Sequence, residues 1–305
     1  MRLSVLHDSA MLQRLEAALR EDVGTGDITT ECTVPSDLAG EGVFTAKANG
    51  VLSGMEVAAT VFQLVDDNLV IDAKYTDGMP VLRGSDIARV TGSVASMLTA
   101  ERVALNFLQR MSGIATATAS FMRLVEDTDV QILDTRKTVP GLRAFDKLAV
   151  RHGRGTNHRF GLDDMVLIKD NHIAAAGGIT AAVELVTARL PSDRGIEPRD
   201  RGIEPRDRGI KVELEVADLN QLIEALGCKG VDIIMLDNFS IDEMTTAVKL
   251  IRTQRPDVSI EASGNVSESN VRAIAETGVD MISIGALTHS VRALDISFNI
   301  SERKD

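Results

Sequence analysis

Short apolar runs alternate with stretches of helical spacing from about Val130 onward. A strand buried on both faces reads as a short continuous apolar run, whereas apolar residues on a helix recur every three or four positions. This pattern predicts six strands, at 131–135, 165–170, 211–216, 231–237, 258–264 and 281–286. It also predicts helices between most of them, over 142–151, 180–190, 219–226, 242–254 and 267–277.

Repeated strand–helix–strand units imply right-handed crossovers and a parallel sheet. Such a sheet closes into an α/β barrel or stays open and doubly wound. Six strands fall short of the usual eight, so a barrel would be incomplete. We favour the barrel because turns suited to phosphate end its last two units, where barrel phosphate sites are usual.

The first 111 residues show a mixed pattern. Helical spacing at 11–19 precedes a predicted loop at 21–31. Turn signals such as Asn49-Gly50 and Asp77-Gly78 separate short strand-like pieces. We predict these strands at 42–48, 51–52, 69–75 and 87–91. A long helix is predicted over 94–125, with Gly113 as its weak point.

The segment 194–210 contains the heptad RGIEPRD twice, followed by the start of a third copy. Glycine and proline in every unit exclude a continuous helix. We interpret it as a tandem duplication within a surface loop, with no catalytic role, because surface loops lengthen at small entropic cost.

Composition narrows the class of protein. The 305 residues include 44% hydrophobic residues but no Trp and one Tyr, so Val, Ile, Leu, Met and Ala must build the core. The formal net charge of −12 makes nucleic acids and anionic membranes unexpected partners. Cys32 and Cys228 form no disulfide or metal motif, and no signal peptide or membrane span is apparent, which predicts a cytoplasmic protein.

Polar or small residues follow every predicted strand of the second half. In barrels and open α/β sheets alike, sites are built at this carboxyl-terminal rim. Asp237-Asn238 by itself would more simply cap the next helix. Helix capping does not readily explain why all six strands end this way. The residues at the six strand ends are Arg136, Lys137, Lys169, Asp170, Glu215, Asp237, Asn238, Ser263, Gly264, Asn265 and Gly285.

Basic residues concentrate between Asp134 and His172, where eight Lys and Arg face five acids and three histidines also lie. Arg and Lys are suited to carboxylates and phosphates, so this stretch predicts an anion site. We assign four of the basic residues to a solvated helix face: Arg143, Lys147, Arg151 and Arg154. The other four flank apolar runs or glycines and are the candidate ligands: Arg136, Lys137, Arg159 and Lys169.

Two turns have the composition of phosphate-binding turns, EASGN at 261–265 and ISIGA at 282–286. Each is weak evidence alone, since a glycine after a strand is usually a turn device. Glu215 and Asp237 suit ribose hydroxyls or a hydrated Mg²⁺. Glu213 should share a face with Glu215, so the strand register leaves the choice between them open, and either could instead pair with Lys211.

The sequence resembles the quinolinate phosphoribosyltransferase family over nearly its whole length. The matching segments are EDVGTGDITTE, GVLSGMEVA, ERVALNFLQRMSGIAT, LDTRKTVPGLR, NHRFGLDDMVLIKDNHI, VELEV, MLDNF, EASGN and ISIGALTHS. The resemblance implies an N-terminal α+β domain over 1–112, joined by the C-terminal tail 288–305, and an incomplete α/β barrel over 113–287. It also implies a homodimer, or a hexamer built of dimers, in which one subunit caps the barrel of another.

The resemblance further implies transfer of phosphoribosyl from phosphoribosyl pyrophosphate, bound with Mg²⁺, to quinolinate, with decarboxylation. The implied quinolinate ligands are Arg102 from the neighbouring subunit, Arg136, His158, Arg159 and Lys169. The implied phosphoribosyl pyrophosphate ligands are Lys137, Glu215, Asp237, Ser263, Gly264, Asn265, Gly285 and Ala286. Thr135 and Ile284 are further implied substrate-binding residues, assigned to neither substrate. Lys137, Glu215 and Asp237 are the expected catalytic residues, and no protein-only metal site is expected.

Two departures and two alternatives accompany this resemblance. The duplicated heptad lengthens the loop before Glu215, and Arg154 stands where the family tends to have glycine. A Schiff-base aldolase using Lys169 or Lys137 is one rival reading. A non-catalytic relative that binds phosphorylated ligands or serves as an assembly subunit is the other.

Overall fold

A computed structural model of the chain describes residues 9–190 and 209–302. Both copies of the heptad, at 194–207, lie outside these ranges.

The N-terminal part is an α+β arrangement of four helices and five strands. These elements are α1 (Ser9–Val23), α2 (Ile28–Thr33), β1 (Ala39–Ala46), β2 (Gly50–Val51), α3 (Met55–Val65), β3 (Val70–Ala73), β4 (Pro80–Val81), β5 (Asp86–Ser93) and α4 (Val94–Leu124). The predicted loop at 21–31 is therefore interrupted by α2, which begins where Asp27 caps the amide of Thr30.

The second part alternates strands and helices as predicted. Its elements are β6 (Gln131–Leu133), α5 (Arg143–His152), β7 (Val166–Ile168), α6 (Asp170–Ala176), α7 (Ile179–Arg189), β8 (Val212–Val216), α8 (Leu219–Gly227), β9 (Ile233–Asp237), α9 (Ile241–Gln254), β10 (Ser259–Ser263), α10 (Val271–Glu276), β11 (Met281–Ser283), α11 (Ala286–His289) and β12 (Ile296–Glu302).

Strand order decides between the barrel and the open sheet. The six parallel strands are ordered β6-β11-β10-β9-β8-β7, so the first strand of the series pairs with the last. The sheet therefore closes on itself except between β6 and β7. At that gap, Thr156 forms an isolated parallel bridge with Leu133. The prediction of an incomplete six-stranded α/β barrel with an N-terminal α+β domain is confirmed.

The last strand returns to the N-terminal part. β12 pairs antiparallel with β1 in a four-stranded sheet of order β12-β1-β5-β3, while β2 and β4 form a separate pair. Phe44, Phe62 and Phe298 pack together over this sheet, with ring centroids 4.5–5.8 Å apart. A chain end tied into a sheet in this way is held in place by both ladder hydrogen bonds and core packing.

Residues of the barrel strands alternate between two environments. In β8, Val212, Leu214 and Val216 pack in the core between the strands and the surrounding helices. The intervening Glu213 and Glu215 consequently face the barrel interior, as the two-residue period of a strand requires. The interior thus holds polar side chains while the outer layer is apolar.

Helix α4 runs unbroken past Gly113, so the predicted weak point is not a break. A Cβ atom at Gly113 would lie 2.3 Å from the carbonyl oxygen of Arg292. The glycine therefore permits close approach of the segment leading to β12. Among the described helices, none is long and apolar enough to cross a bilayer.

Candidate active site

The carboxyl ends of the barrel strands surround a cavity of about 710 Å³. Eleven of the fifteen predicted site residues line it: Thr135, Arg136, Lys137, His158, Arg159, Lys169, Glu215, Asp237, Ser263, Gly264 and Asn265. The remaining wall includes Leu167, Met235, Asn238, Glu261 and Ser283. The structure thus brings residues from all six barrel strands to one cavity.

Four predicted site residues do not line the cavity. Arg102 lies on α4 with its side chain 60% exposed and contacts Glu101 at 3.7 Å. The Ile284 side chain packs in the core between strands and helices, so only its backbone could meet a ligand. Gly285 adjoins the Lys137 side chain, since a Cβ there would lie 3.0 Å from Lys137 Cδ, and Ala286 begins the four-residue α11.

A buried network holds the two segments that carry most of the cations. Asp134, at the end of β6, forms an ion pair with Lys147 of α5 and accepts the backbone N–H of His158 at 2.9 Å. Lys147 also donates to the carbonyl oxygen of His158 at 3.0 Å, and Asn157 donates to Asp134 at 2.5 Å. The segment that fills the barrel gap is therefore fixed against β6, which orients Arg136 and Arg159 towards the same space.

Lys147 and Arg143 do not lie on a solvated helix face, so this part of the prediction was wrong. Lys147 is 1% exposed. Arg143 donates to Thr138 Oγ1 and to the carbonyl oxygen of Phe160, both at 3.0 Å. Both side chains support the loops that carry the site. Arg151 and Arg154 are exposed, as predicted.

One part of the cavity brings two guanidinium groups, those of Arg136 and Arg159, into the same space. Arg136 Nε is buried and has no hydrogen-bond partner among the described residues. Arg159 is 6% exposed and donates to the carbonyl oxygen of Met165 at 2.9 Å. Burial, and then the neighbouring Arg136 guanidinium, lower the pKa of Arg159. Two guanidinium groups that repel each other in a shared cavity are an arrangement that an anion would relieve.

Two glutamates lie beneath these cations. Glu213 and Glu261 are fully buried, and His158 Nε2 lies 3.1 Å from Glu213 Oε2 and 3.5 Å from Glu261 Oε2. Burial and then the adjacent Glu261 raise the pKa of Glu213 to about 7. These three groups could also hold a cation between them, because their ligand atoms lie within 4.8 Å of one another.

Burial and the neighbouring carboxylates shift the pKa of His158 in opposite directions. Burial lowers its pKa, the two carboxylates raise it, and the result is a pKa of about 10. The backbone amide of Arg159 lies 2.8 Å from Nδ1, a contact that favours the neutral ring. Two buried carboxylates outweigh one neutral amide, so we assign His158 as an imidazolium.

Glu213 and Glu215 lie at different depths along β8. Glu213 lies deeper, next to His158, whereas Glu215 lines the cavity and forms an ion pair with Lys169. The partner of Glu215 is thus Lys169, and the alternative pairing with Lys211 was wrong. Asp237 follows on the adjacent strand β9, so two carboxylates face the cavity from neighbouring strands.

Two models of known protein families match this chain, one over its N-terminal part and one over its barrel. Residues 27–112 match the model of the quinolinate phosphoribosyl transferase N-terminal domain, and residues 114–198 and 201–299 match that of the C-terminal domain. The chain belongs to the quinolinate phosphoribosyltransferase family. Family membership agrees with the resemblance found in the sequence motifs.

Individual family members match over nearly the full chain. A probable nicotinate-nucleotide pyrophosphorylase (carboxylating) of Synechocystis is 42% identical, covering 94% of this chain and 91% of the relative. The chloroplastic nicotinate-nucleotide pyrophosphorylase of Arabidopsis thaliana is also 42% identical, covering 94% and 81%. The crystal structure of NadC from Streptococcus pyogenes superposes with a TM-score of 0.86 at 38% identity, covering 96% of each chain.

Several residues that shape the cavity were not among those predicted from the sequence. Glu261 lines the cavity, and Lys147 and Asn157 anchor its loops. A signal existed for Glu261, since a charged residue inside the apolar run VSIEASG must either be paired or face a polar interior. No comparable signal existed for Lys147, whose partner lies thirteen residues away and across an element boundary.

Proposed function

We propose that this chain transfers the phosphoribosyl group of phosphoribosyl pyrophosphate to quinolinate, releasing pyrophosphate and CO₂ and forming nicotinate mononucleotide. This reaction belongs to de novo NAD biosynthesis. The single observation that carries the proposal is the convergence of Arg136, Arg159 and Lys169 on one cavity. Membership of the quinolinate phosphoribosyltransferase family supports it.

The cation-rich part of the cavity suits the aromatic dicarboxylate. Arg136 and Arg159 offer planar donor groups matched to carboxylates, and Lys169 and His158 add positive charge. Thr135 precedes Arg136 on the loop after β6 and accepts the backbone N–H of Lys137 at 3.0 Å. We assign these five residues to quinolinate, with Arg102 of a neighbouring subunit completing the set.

The adjoining part of the cavity suits the phosphorylated sugar. Glu215 and Asp237 can bind ribose hydroxyls, and the turn Ser263-Gly264-Asn265 offers backbone N–H groups to a phosphate. Lys137 supplies a positive charge to the pyrophosphate. The segment Ile284-Gly285-Ala286 can contribute backbone groups beside Lys137.

The donor set also fits a hydrated Mg²⁺ carried by the phosphorylated substrate. Mg²⁺ keeps several waters and takes few carboxylates, and Glu215 and Asp237 are two carboxylates on adjacent strands. When bound, the ion would neutralise charge on the leaving pyrophosphate. Glu215 and Asp237 would hold it, in part through its waters.

The reaction asks for positioning and charge stabilisation rather than covalent chemistry by the protein. The pyridine nitrogen attacks C1 of the ribose, and the bond from C1 to the pyrophosphate oxygen breaks. Lys137 stabilises the negative charge on the departing pyrophosphate, and Glu215 and Asp237 favour positive charge developing on the ribose. The bond from C2 to its carboxylate then breaks, CO₂ leaves, and the quaternised ring nitrogen stabilises the electron pair at C2 until a proton replaces it.

We further propose that the enzyme is cytoplasmic and at least a homodimer, extending to a hexamer of dimers. Arg102 is exposed and does not line the cavity of its own subunit, which supports a role in a neighbour. Cys32 and Cys228 are free thiols, as is usual for a protein of a reducing compartment. The domain boundaries 1–112 and 113–287 remain our proposal, with α4 continuous across the junction.

The ion pair between Lys169 and Glu215 argues against a Schiff-base aldolase, because an ion-paired ammonium is not a nucleophile. A non-catalytic relative would bind the phosphorylated ligand without forming a product.

A direct assay tests the proposed activity. Purified protein with quinolinate, phosphoribosyl pyrophosphate and Mg²⁺ should form nicotinate mononucleotide, detected by ultraviolet absorbance, with stoichiometric pyrophosphate. Arg136→Ala should lower kcat/KM by roughly a hundredfold or more, because a buried carboxylate contact is lost. Arg123→Ala, which removes an exposed arginine at the end of α4, is the matched control and should behave as wild type. Binding of both substrates without product formation would overturn the proposal.

A further inference from the structure

Asn238 follows β9 directly and has an uncommon backbone conformation. Its φ is +58°, and Asn265 at the end of the neighbouring β10 has a φ of +50°. Only three non-glycine residues in the described ranges have a positive φ, and two of them are this pair. Left-handed residues of this kind concentrate at functional sites, where the surrounding contacts hold them.

Capping of the next helix does not explain Asn238. Helix α9 is capped by Ser240, whose Oγ accepts the N–H of Glu243 at 3.3 Å. Glu243 in return accepts the N–H of Ser240 at 2.9 Å, completing a capping box. The capping role that Asp237-Asn238 could have filled is therefore taken by another residue.

The side chain of Asn238 instead bridges two parts of the cavity wall. Its Nδ2 donates to Asp237 Oδ2 at 2.8 Å, and its Oδ1 accepts from Asn265 Nδ2 at 2.9 Å. A carboxylate can only accept, so the orientation of the amide is fixed by chemistry. The backbone N–H of Asn238 also donates to the carbonyl oxygen of Ser263 at 2.9 Å.

The same side chain explains why residue 264 is glycine. A Cβ atom at Gly264 would lie 2.2 Å from Asn238 Oδ1 and 3.0 Å from the Asn238 backbone nitrogen. Asn238 therefore packs directly on the turn 263–265 as well as bonding to it. The turn and the Asp237 carboxylate are held at one fixed separation.

We propose that Asn238 is a positioning residue that sets the spacing between the Asp237 carboxylate and the phosphate turn 263–265. This inference rests on the proposed function, in which those two features bind the ribose and a phosphate of one substrate. Asn238 thereby determines affinity for the phosphoribosyl donor rather than for the dicarboxylate, whose cations lie on other loops.

Two variants separate the side chain from the backbone conformation. Asn238→Gly keeps the left-handed conformation available and removes both side-chain hydrogen bonds. Asn238→Asp keeps the shape and the oxygen that accepts from Asn265, but sets a second carboxylate against Asp237. Each variant should raise the KM for phosphoribosyl pyrophosphate by roughly tenfold, since hydrogen bonds to a charged group are lost. Quinolinate affinity, measured by calorimetry without the second substrate, should be unchanged.

Asn68→Gly is the matched control, because Asn68 Nδ2 also donates to an aspartate, Asp66, at 3.0 Å but in an exposed turn remote from the cavity. It should leave both constants at the wild-type value. An active wild type with unchanged KM values in both Asn238 variants would overturn the inference. So would equal losses for both substrates together with a lower melting temperature, which would indicate a general structural role. An inactive wild type would instead refute the proposed function.

Discussion

At the scale of residues, the cavity pairs a cationic surface with a buried acidic floor. Arg136, Arg159 and His158 lie above Glu213 and Glu261, which are fully buried. The buried glutamates place negative charge beside these cations, although burial and the neighbouring Glu261 raise the pKa of Glu213 to about 7. His158 contacts the acids, and its protonation state reports on the whole arrangement.

Nuclear magnetic resonance titration of the His158 ring tests this arrangement. The two carboxylates raise the pKa to about 10, so the ring should keep its proton through neutral pH and lose it only as the pH approaches that value. Glu213→Gln removes the nearer carboxylate and should lower the pKa of His158. A wild-type midpoint near the ordinary value of about 6.5, or the same midpoint in both proteins, would contradict the arrangement.

The sequence predicted the residues that line the cavity better than the residues that support them. Arg136 follows β6 within three residues and Lys169 follows β7 directly. The strand ends of a parallel sheet meet at one rim, so the convergence of these residues could be predicted. Lys147 could not be distinguished from a surface lysine, because its burial depends on the fold of the loop around Asp134. Its role depends on the ion pair that it forms in the folded protein, and a single sequence does not show which residues will pair.

At the scale of elements, α4 shows how a local rule can be overridden. Glycine within a helix is unfavourable by propensity, which is why Gly113 suggested a weak point. The helix nevertheless continues through it, because packing against α3 and α5 stabilises the surrounding turns. The backbone of Arg292 and Ala293 occupies the space that a side chain would need.

Gly113→Ala should therefore destabilise the protein although alanine is the better helix former. Overpacking against a rigid backbone costs about 1–3 kcal/mol, which outweighs a propensity gain of about 1 kcal/mol. We expect the melting temperature to fall by roughly 2–4 °C.

Gly227→Ala is the control, because Gly227 ends α8 and has no atom within 4 Å of the added Cβ. It should leave the melting temperature unchanged or raise it. A higher melting temperature for Gly113→Ala would show that the close approach to Arg292 does not constrain the helix.

The ends of helices and strands were predicted where the spacing of apolar residues and the helix-capping residues indicated the same positions. The strands β8, β9 and β10 lie within or close to the predicted runs, since buried parallel strands are continuously apolar. The helix predicted at 267–277 begins only at Val271, because Asn270 Oδ1 accepts the N–H of Ser267 and holds a turn there. The pair β2–β4, of two residues each, is too short to give a periodic signal.

At the scale of the whole molecule, closure of the barrel creates the site. Pairing of β6 with β11 brings the two ends of the barrel sequence together, so Lys137 adjoins Gly285. The alternation of strands and helices predicted the parallel sheet. Closure itself depended on the position of the polar strand ends and could not be read from periodicity.

Mixing of inactive subunits tests whether Arg102 acts across an interface. Arg102→Ala and Arg136→Ala should each be inactive alone. In a mixed dimer, the Arg102→Ala barrel would receive Arg102 from its partner and form one intact site. A random equimolar mixture should thus regain about one quarter of wild-type activity. No recovery after verified subunit exchange would contradict a shared site.

In the proposed complex, the cations of one cavity pair with both carboxylates of a single ring. The most direct measurement compares kcat/KM for quinolinate and nicotinate under identical conditions with phosphoribosyl pyrophosphate and Mg²⁺. A site built to pair two carboxylates leaves buried charge unpaired with one, so nicotinate should be used at least about a hundredfold less efficiently. Comparable consumption of the two compounds would contradict this pairing.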